Sequence, residues 1–160
     1  FPIRGLYLDA IARAEKRVWI TNAYFVPDRT FRAALMNAAR RGVDVRVIIP
    51  SGGDSGIMAA GNLATANGLI RAGATVYQYP PMTHLKAMIC DDWANIGSAN
   101  LDTLSMCINR ELNLAFHDLH MIDTLEDVVF QPDFRNSRRI SLAETQSLTN
   151  DIAETLADQL

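Results

Sequence analysis

The chain has 160 residues, 49% of them hydrophobic and 21% charged, which is long enough for one sizeable core and too short for two comfortable domains. Its formal net charge of −3 and pI near 5.5 give no global attraction to nucleic acid or anionic lipid. No stretch approaches the roughly 20 apolar residues needed to span a bilayer, so membrane contact has to be peripheral or come from segments outside this sequence. Tyr7, Ala10, Ile11 and Ala14 recur at helical spacing, and Val18-Trp19-Ile20 begins a short buried strand. Asp28 is placed to cap a second helix that turns Phe31, Ala34, Leu35 and Ala38 to one face and stops at Gly42. A second strand runs from Val43 to Ile49, followed by a glycine-rich loop, a weaker helix over 57–71 ending at Gly73, and a third strand from Ala74 to Tyr79. After Pro80-Pro81 comes a hairpin, then a helical Leu101 to Met106, a strand from Glu111 to Phe116, and a helix with Met121, Leu125, Val128 and Val129 aligned. Strands alternating with helices predict an α/β layer fold with a largely parallel sheet and a locally antiparallel hairpin.

Charge is uneven along the chain. Arg29, Arg32, Arg40, Arg41 and Arg46 gather early, while Glu144, Asp151, Glu154 and Asp158 make the tail acidic; both read as solvated helix faces. In the tail, Leu148, Ile152, Leu156 and Leu160 recur every four residues, the pattern of an amphipathic helix that packs on the parent body. Cys90 and Cys107 lie in apolar surroundings and read as buried free thiols. His117 and His120 have no further ligands nearby in sequence and read as surface or cap residues rather than a metal pair.

One stretch reads as chemistry rather than packing. On an extended strand, His84 and Lys86 stand two residues apart and point the same way, so an imidazole and an ammonium share a pocket. Asp91 is at an odd offset from Lys86 and belongs to the Asp91-Asp92 turn. Gly97-Ser98-Ala99-Asn100 then supplies a flexible backbone, a hydroxyl and a carboxamide, neutral donors suited to a phosphate diester beside a cation. The loops after the first two strands, with Tyr24 and Phe25 in one and Ser51 in the other, border this pocket if they lie beyond the strand carboxyl ends. An exposed aromatic there would suit a lipid-bearing substrate.

The run from His84 to Asn100 resembles the HxK(x)4D(x)6GSxN signature of the phospholipase D superfamily, matched at His84, Lys86, Asp91, Gly97, Ser98 and Asn100. Five residues rather than six separate Asp91 from Gly97, as in a turn shortened by one. Ile20 to Asp28, Arg41 to Arg46, Asn100-Leu101-Asp102 and Asn109 to Asn113 extend the likeness, over about residues 5 to 140, to the carboxy-terminal half of bacterial cardiolipin synthases. The resemblance implies a layered α/β/α sandwich with a mixed, largely parallel sheet over 1–140, with 141–160 a helix packed on the same domain. It assigns catalysis to His84, Lys86, Asp91, Asn100 and Glu111, the last as the carboxylate that holds a catalytic imidazole, with Gly97 and Ser98 around the substrate; Tyr24, Phe25 and Ser51 join them there by the position of their loops.

It further implies a ping-pong phosphatidyl transfer through a phosphohistidine, with phosphatidylglycerol as donor and acceptor, no metal or other cofactor, and peripheral attachment on the cytoplasmic side of a bacterial inner membrane. One histidine cannot both attack and protonate the leaving alkoxide. The chain has one such signature, and it opens inside its first helix; the expectation is therefore a half that works with a second half of the same parent chain, or a protein that pairs with itself. A homodimeric phosphodiesterase or nuclease is the competing enzyme, although the acidic balance disfavours nucleic acid. A non-catalytic half that binds phosphate or a partner is the alternative outside enzymology.

Overall fold

Residues 2–51, 65–80, 83–102, 105–106 and 110–146 are described by the computed structural model of the chain. Its first half alternates strand and helix because the apolar period alternates there. Helix α1 (Pro2–Arg13) turns Tyr7 and Ile11 inward, and strand β1 (Arg17–Asn22) is buried from Val18 onward. Helix α2 (Arg29–Arg40) is capped by Asp28, whose carboxylate accepts the Phe31 N–H at 2.9 Å and satisfies one of the orphan donors of the first turn. It buries Phe31, Leu35, Ala38 and Ala39 and ends before Gly42, whose φ of 90° lies in the left-handed region that a Cβ disfavours. Strand β2 (Asp44–Pro50), helix α3 at 65–71 and strand β3 (Thr75–Tyr79) follow.

The hairpin β4 (Lys86–Cys90) and β5 (Trp93–Gly97) and the strand β6 (Asn113–Phe116) complete one side of the sheet. Helix α4 (Leu119–Leu125), a π-helical turn (Glu126–Phe130) and helix α5 (Gln131–Asn136) cross the second face, and the two-residue β7 (Arg138–Arg139) closes the far edge. The order is β6-β5-β4-β1-β2-β3-β7. Helices α1 to α3 cover the face carrying Val18, Ile20, Val47, Met88 and Trp93. The α4–α5 segment covers the face carrying Trp19, Ile48, Ala87, Ile89 and Ala94. The sheet is mixed, as expected, but parallel pairing is confined to β1–β2 and β2–β3, and the other four described pairings are antiparallel. The strand-helix alternation that forces parallel crossovers stops after β3, and hairpin-like returns take over.

Two expectations shift in detail. The inward stripe of the late helical segment is Ile122, Leu125 and Phe130, with Met121 45% and Val128 70% exposed. Leu125 is common to both faces, Val129 is partly buried, and the inward face turns toward Ile122 and Phe130, with the π turn adding a residue before Phe130. Of the helix read at Leu101 to Met106, residues 101, 102, 105 and 106 are described and 105–106 are helical, while the tail stripe from Leu148 lies outside the described residues; nearer the body, 142–146 is helical and Thr145 is fully buried.

Strand direction decides what gathers where. The parallel strands β1, β2 and β3 all end at one edge of the sheet, and β4, antiparallel to β1 with Lys86 opposite Asn22, begins there. Strand β5 runs back and ends there, and β6 begins there with Asn113 opposite Gly97. His84, Lys86, Ser98, Asn100, Glu111 and the loop at Tyr24 are thereby brought to one edge.

Candidate active site

Lys86 opens β4 with 4% of its surface exposed, and its ammonium donates to the carbonyl of His84 at 2.8 Å. An ammonium has three N–H groups, so two remain without a partner among the described residues. Burial pulls its pKa below the ordinary lysine value, against the carboxylates of Glu111 and Asp102, which favour the charged form. His84 precedes the strand and is exposed. Its ring meets that of Tyr24 edge-on, with centroids 6.4 Å apart and planes at 82°. An imidazole open to solvent next to a buried ammonium is an arrangement whose chemistry suits an anionic phosphorus.

Beyond β5 the chain turns through Ser98 and Ala99 to Asn100. Gly97 is required by packing: a Cβ would collide with the Asn113 carboxamide and the Leu112 carbonyl. The Ser98 N–H donates to the Leu112 carbonyl at 3.0 Å, and the Leu112 N–H donates to the Ser98 hydroxyl at 3.0 Å. That hydroxyl in turn donates to the Glu111 carboxylate. Asn100 Oδ1 is buried without a hydrogen-bond partner among the described residues; it is an acceptor, and the Nδ2 of the same carboxamide is the group that can donate to an anionic oxygen.

The expected residues do not all meet. Glu111 reaches the site edge, but its described hydrogen bond is to Ser98 and not to the His84 ring. Asp91 lies at the other end of β4, where its carboxylate accepts the N–H groups of Glu15, Lys16 and Arg17 at 2.8, 3.0 and 2.8 Å. Burial raises its pKa, and those three donors outweigh burial and hold the carboxyl below its ordinary value. Phe25 is 1% exposed and bridges to Leu101, so it belongs to the core and not to a surface that substrate meets. Ser51 is on the site edge but two strands from β4, where its N–H donates to Tyr79 at 2.8 Å and its hydroxyl donates to the Pro80 carbonyl.

The opposite edge is no rival site. A cleft of about 260 Å³ opens there, lined in part by Asp9, Arg13, Asp91 and His117. Arg13 is already paired with Asp9, and Nδ1 of His117 sits 3.1 Å from the Asp92 carbonyl. His120 is exposed on α4. Among the described residues, no group of three or more His, Cys, Asp or Glu is placed to hold a metal ion. Cys90 is buried, which pushes its thiol pKa up and leaves it inert; Cys107 lies outside the described residues.

Four residues with no assigned role shape the loop. Asn22 is 2% exposed and its Oδ1 accepts the N–H groups of Tyr24 and Leu101, both at 3.2 Å. Asn113 Oδ1 accepts the Ala99 N–H at 3.2 Å, while its Nδ2 donates to Asn95 at 2.6 Å and to the Tyr7 hydroxyl at 3.0 Å. The Tyr7 hydroxyl donates to Asn95 at 2.7 Å, and its burial holds the phenol well above its usual pKa. The available signal was a polar side chain inside an apolar run, as in Val18-Trp19-Ile20-Thr21-Asn22; such a residue needs an internal partner once buried.

This geometry agrees with the comparisons. The family model described as "Cardiolipin synthase, PLD-like domain" matches residues 7–131. Cardiolipin synthase A of Pseudomonas putida strain KT2440 is 43% identical over 142 residues, spanning 88% of this chain and 29% of that one. Cardiolipin synthase B of Shigella flexneri is 41% identical over 123 residues, covering 76% of this chain and 30% of that protein. The chain thus spans less than a third of the length of these relatives. Among solved structures, the phospholipase D family member Nuc from Salmonella typhimurium superposes with a TM-score of 0.74 at 24% identity, over 86% of this chain and 90% of its own. The shared fold, the signature residues His84, Lys86, Ser98 and Asn100 at one sheet edge and the matched family model agree: the chain belongs to the cardiolipin synthase, PLD-like domain family.

Proposed function

We propose that this chain supplies one half of a phosphatidyltransferase site that converts phosphatidylglycerol to cardiolipin and glycerol. The observation that carries the reading is that an exposed His84, the buried Lys86 with its ammonium on the His84 carbonyl, and Asn100, whose Nδ2 can donate to a phosphate oxygen, come to one sheet edge. In the first step a histidine nitrogen bonds to phosphorus and the phosphorus–oxygen bond to glycerol breaks, with the alkoxide taking a proton from a second imidazole. That imidazole then removes the proton from the terminal hydroxyl of another phosphatidylglycerol, whose oxygen displaces the histidine. Lys86 and the Asn100 carboxamide stabilise the charge on the nonbridging oxygens.

The second imidazole has to come from outside this half. His117 follows the far end of β6 and His120 sits on α4, both away from the His84 edge. A second PLD-like unit in the parent chain meets the need. Tyr24 against His84 offers an apolar ring where the acyl-bearing part of the substrate enters, and no helix among the described residues is long and apolar enough to cross a membrane. Peripheral contact on the cytoplasmic side of the inner membrane is the attachment consistent with both.

The test is turnover of phosphatidylglycerol in mixed micelles by these 160 residues, alone and with the remainder of a full-length relative. Near inactivity alone and recovery on mixing is the expected result. Robust turnover by a dimer of this chain, poisoned by excess His84→Ala subunits, would instead establish a self-paired phosphodiesterase. No turnover and no phosphate binding in any combination would leave a non-catalytic half.

A further inference from the structure

We infer that Asn22 and Asn113 are positioning residues that fix Asn100 for the phosphate, an inference resting on the functional reading above. The residues on either side of Asn100 are Ala99 and Leu101, respectively 0% and 2% exposed. Each presents its backbone N–H to a side-chain carboxamide from a different part of the sheet. Asn113, at the start of β6, takes the Ala99 N–H, and Asn22, at the end of β1, takes that of Leu101. Asn100 is thus the middle residue of three whose flanking amides are both gripped, which fixes where its carboxamide stands, with Oδ1 buried and unpartnered and Nδ2 the donor for a phosphate oxygen.

Each grip is itself held. Asn113 spends both of its amide hydrogens on Tyr7 and Asn95, which are hydrogen-bonded to each other, so its carboxamide cannot rotate without breaking two partly buried bonds. Gly97 lets the carboxamide come close enough to the loop, since any larger residue collides with it. Asn22 stands opposite Lys86 in the β1–β4 ladder, and its Oδ1 also takes the N–H of Tyr24, whose ring meets His84. One carboxamide oxygen therefore ties the Asn100 loop to the loop that borders the nucleophile. The order of the site comes from these two side chains, neither of which has to touch the substrate.

The experiment uses the whole chain and inorganic phosphate, with affinity followed by titration and backbone amide exchange followed residue by residue. Asn113→Ala is expected to speed exchange at Ala99, and Asn22→Ala at Leu101 and Tyr24, while the amides of β4 keep their protection. Each is expected to weaken phosphate binding about tenfold, approaching the loss in Asn100→Ala. Tyr7→Phe removes one of the two anchors of Asn113 without a cavity, and is expected to give about a threefold loss with the urea midpoint little changed. It keeps the inference testable if an alanine variant does not fold. Faster exchange at Ala99 and Leu101 with phosphate affinity unchanged overturns the inference alone, as does a loss of affinity that merely follows global unfolding. Absence of phosphate binding in the unaltered chain overturns the functional reading, and this inference with it.

Discussion

The two ends of the β4–β5 hairpin carry residues of the same signature and do different work. At one end stand His84, Lys86 and the loop to Asn100, with an exposed imidazole, a buried ammonium whose pKa is depressed, and a polar atom with no partner. At the other, Asp91 is saturated by three backbone donors and tied back to β1 by its own N–H, 3.1 Å from the Arg17 carbonyl. Unmet hydrogen-bonding capacity is why the first is proposed as a binding site, and full satisfaction is why the second is read as a joint. A contiguous motif thus encodes a site and the bracket that holds its strand pair in place.

Substitutions test that division, and the largest effect is expected at His84. In a two-half assembly, His84→Ala should lower phosphodiester turnover by about 10³-fold or more, with the melting curve changed by no more than about 0.5 kcal/mol because the residue is exposed. Lys86→Met should weaken phosphate binding by about 10- to 100-fold without loss of stability, since the apolar stem can still pack. The pH dependence separates charge from shape. The folded Lys86 holds its proton less tightly than the unfolded chain does, so stability rises as pH climbs from its folded pKa toward the unfolded one. That rise should vanish in the methionine variant, as read by urea unfolding between neutral and alkaline pH.

The other end should answer oppositely. Asp91→Ala should cost about 2–3 kcal/mol, because three N–H groups lose a charged acceptor and an alanine must adopt a left-handed φ, while phosphate affinity stays at its original value. The folded pKa of Asp91 is depressed, so its contribution is complete above the unfolded carboxylate pKa and fades as pH falls through the folded value; the variant should lack this acid-side loss. A fall in phosphate affinity with stability intact would place Asp91 in the site and break the comparison. The smallest effect is expected for His117→Ala, which should leave both stability, within about 0.5 kcal/mol, and turnover unchanged.

What could be read in advance followed local rules. Lys86 and the Gly97 to Asn100 loop were legible because residue chemistry and turn signals are short-range, as was the Asp28 cap, whereas His84 precedes β4 instead of sharing a strand face with Lys86. Phe25 was not, since whether an aromatic after a strand faces solvent depends on a bridge to Leu101, far along the chain. The partner of Glu111 was equally hidden: it hangs on the β5–β6 register that sets Ser98 beside it. Asn22 and Asn113 stood inside recognisable stretches, but each makes its defining bond to a residue brought near only by the sheet.

The pairing of Asn22 with Lys86 has a consequence for how the chain reaches this state. Strands β1, β2 and β3 are joined by local crossovers, and β4 with β5 is a simple hairpin that can form early. The docking of the hairpin on the free edge of β1 spans a long separation in sequence and carries the entropy of closing that loop. Until it occurs, β1 presents an open row of backbone donors and acceptors, the template on which misfolded chains associate. The same step that shields this edge also brings the lysine to the Asn22 loop, so an intermediate at risk of aggregation is also one without a phosphate pocket. Phosphate added during refolding should therefore leave the early phase unchanged and stabilise only molecules that have passed it.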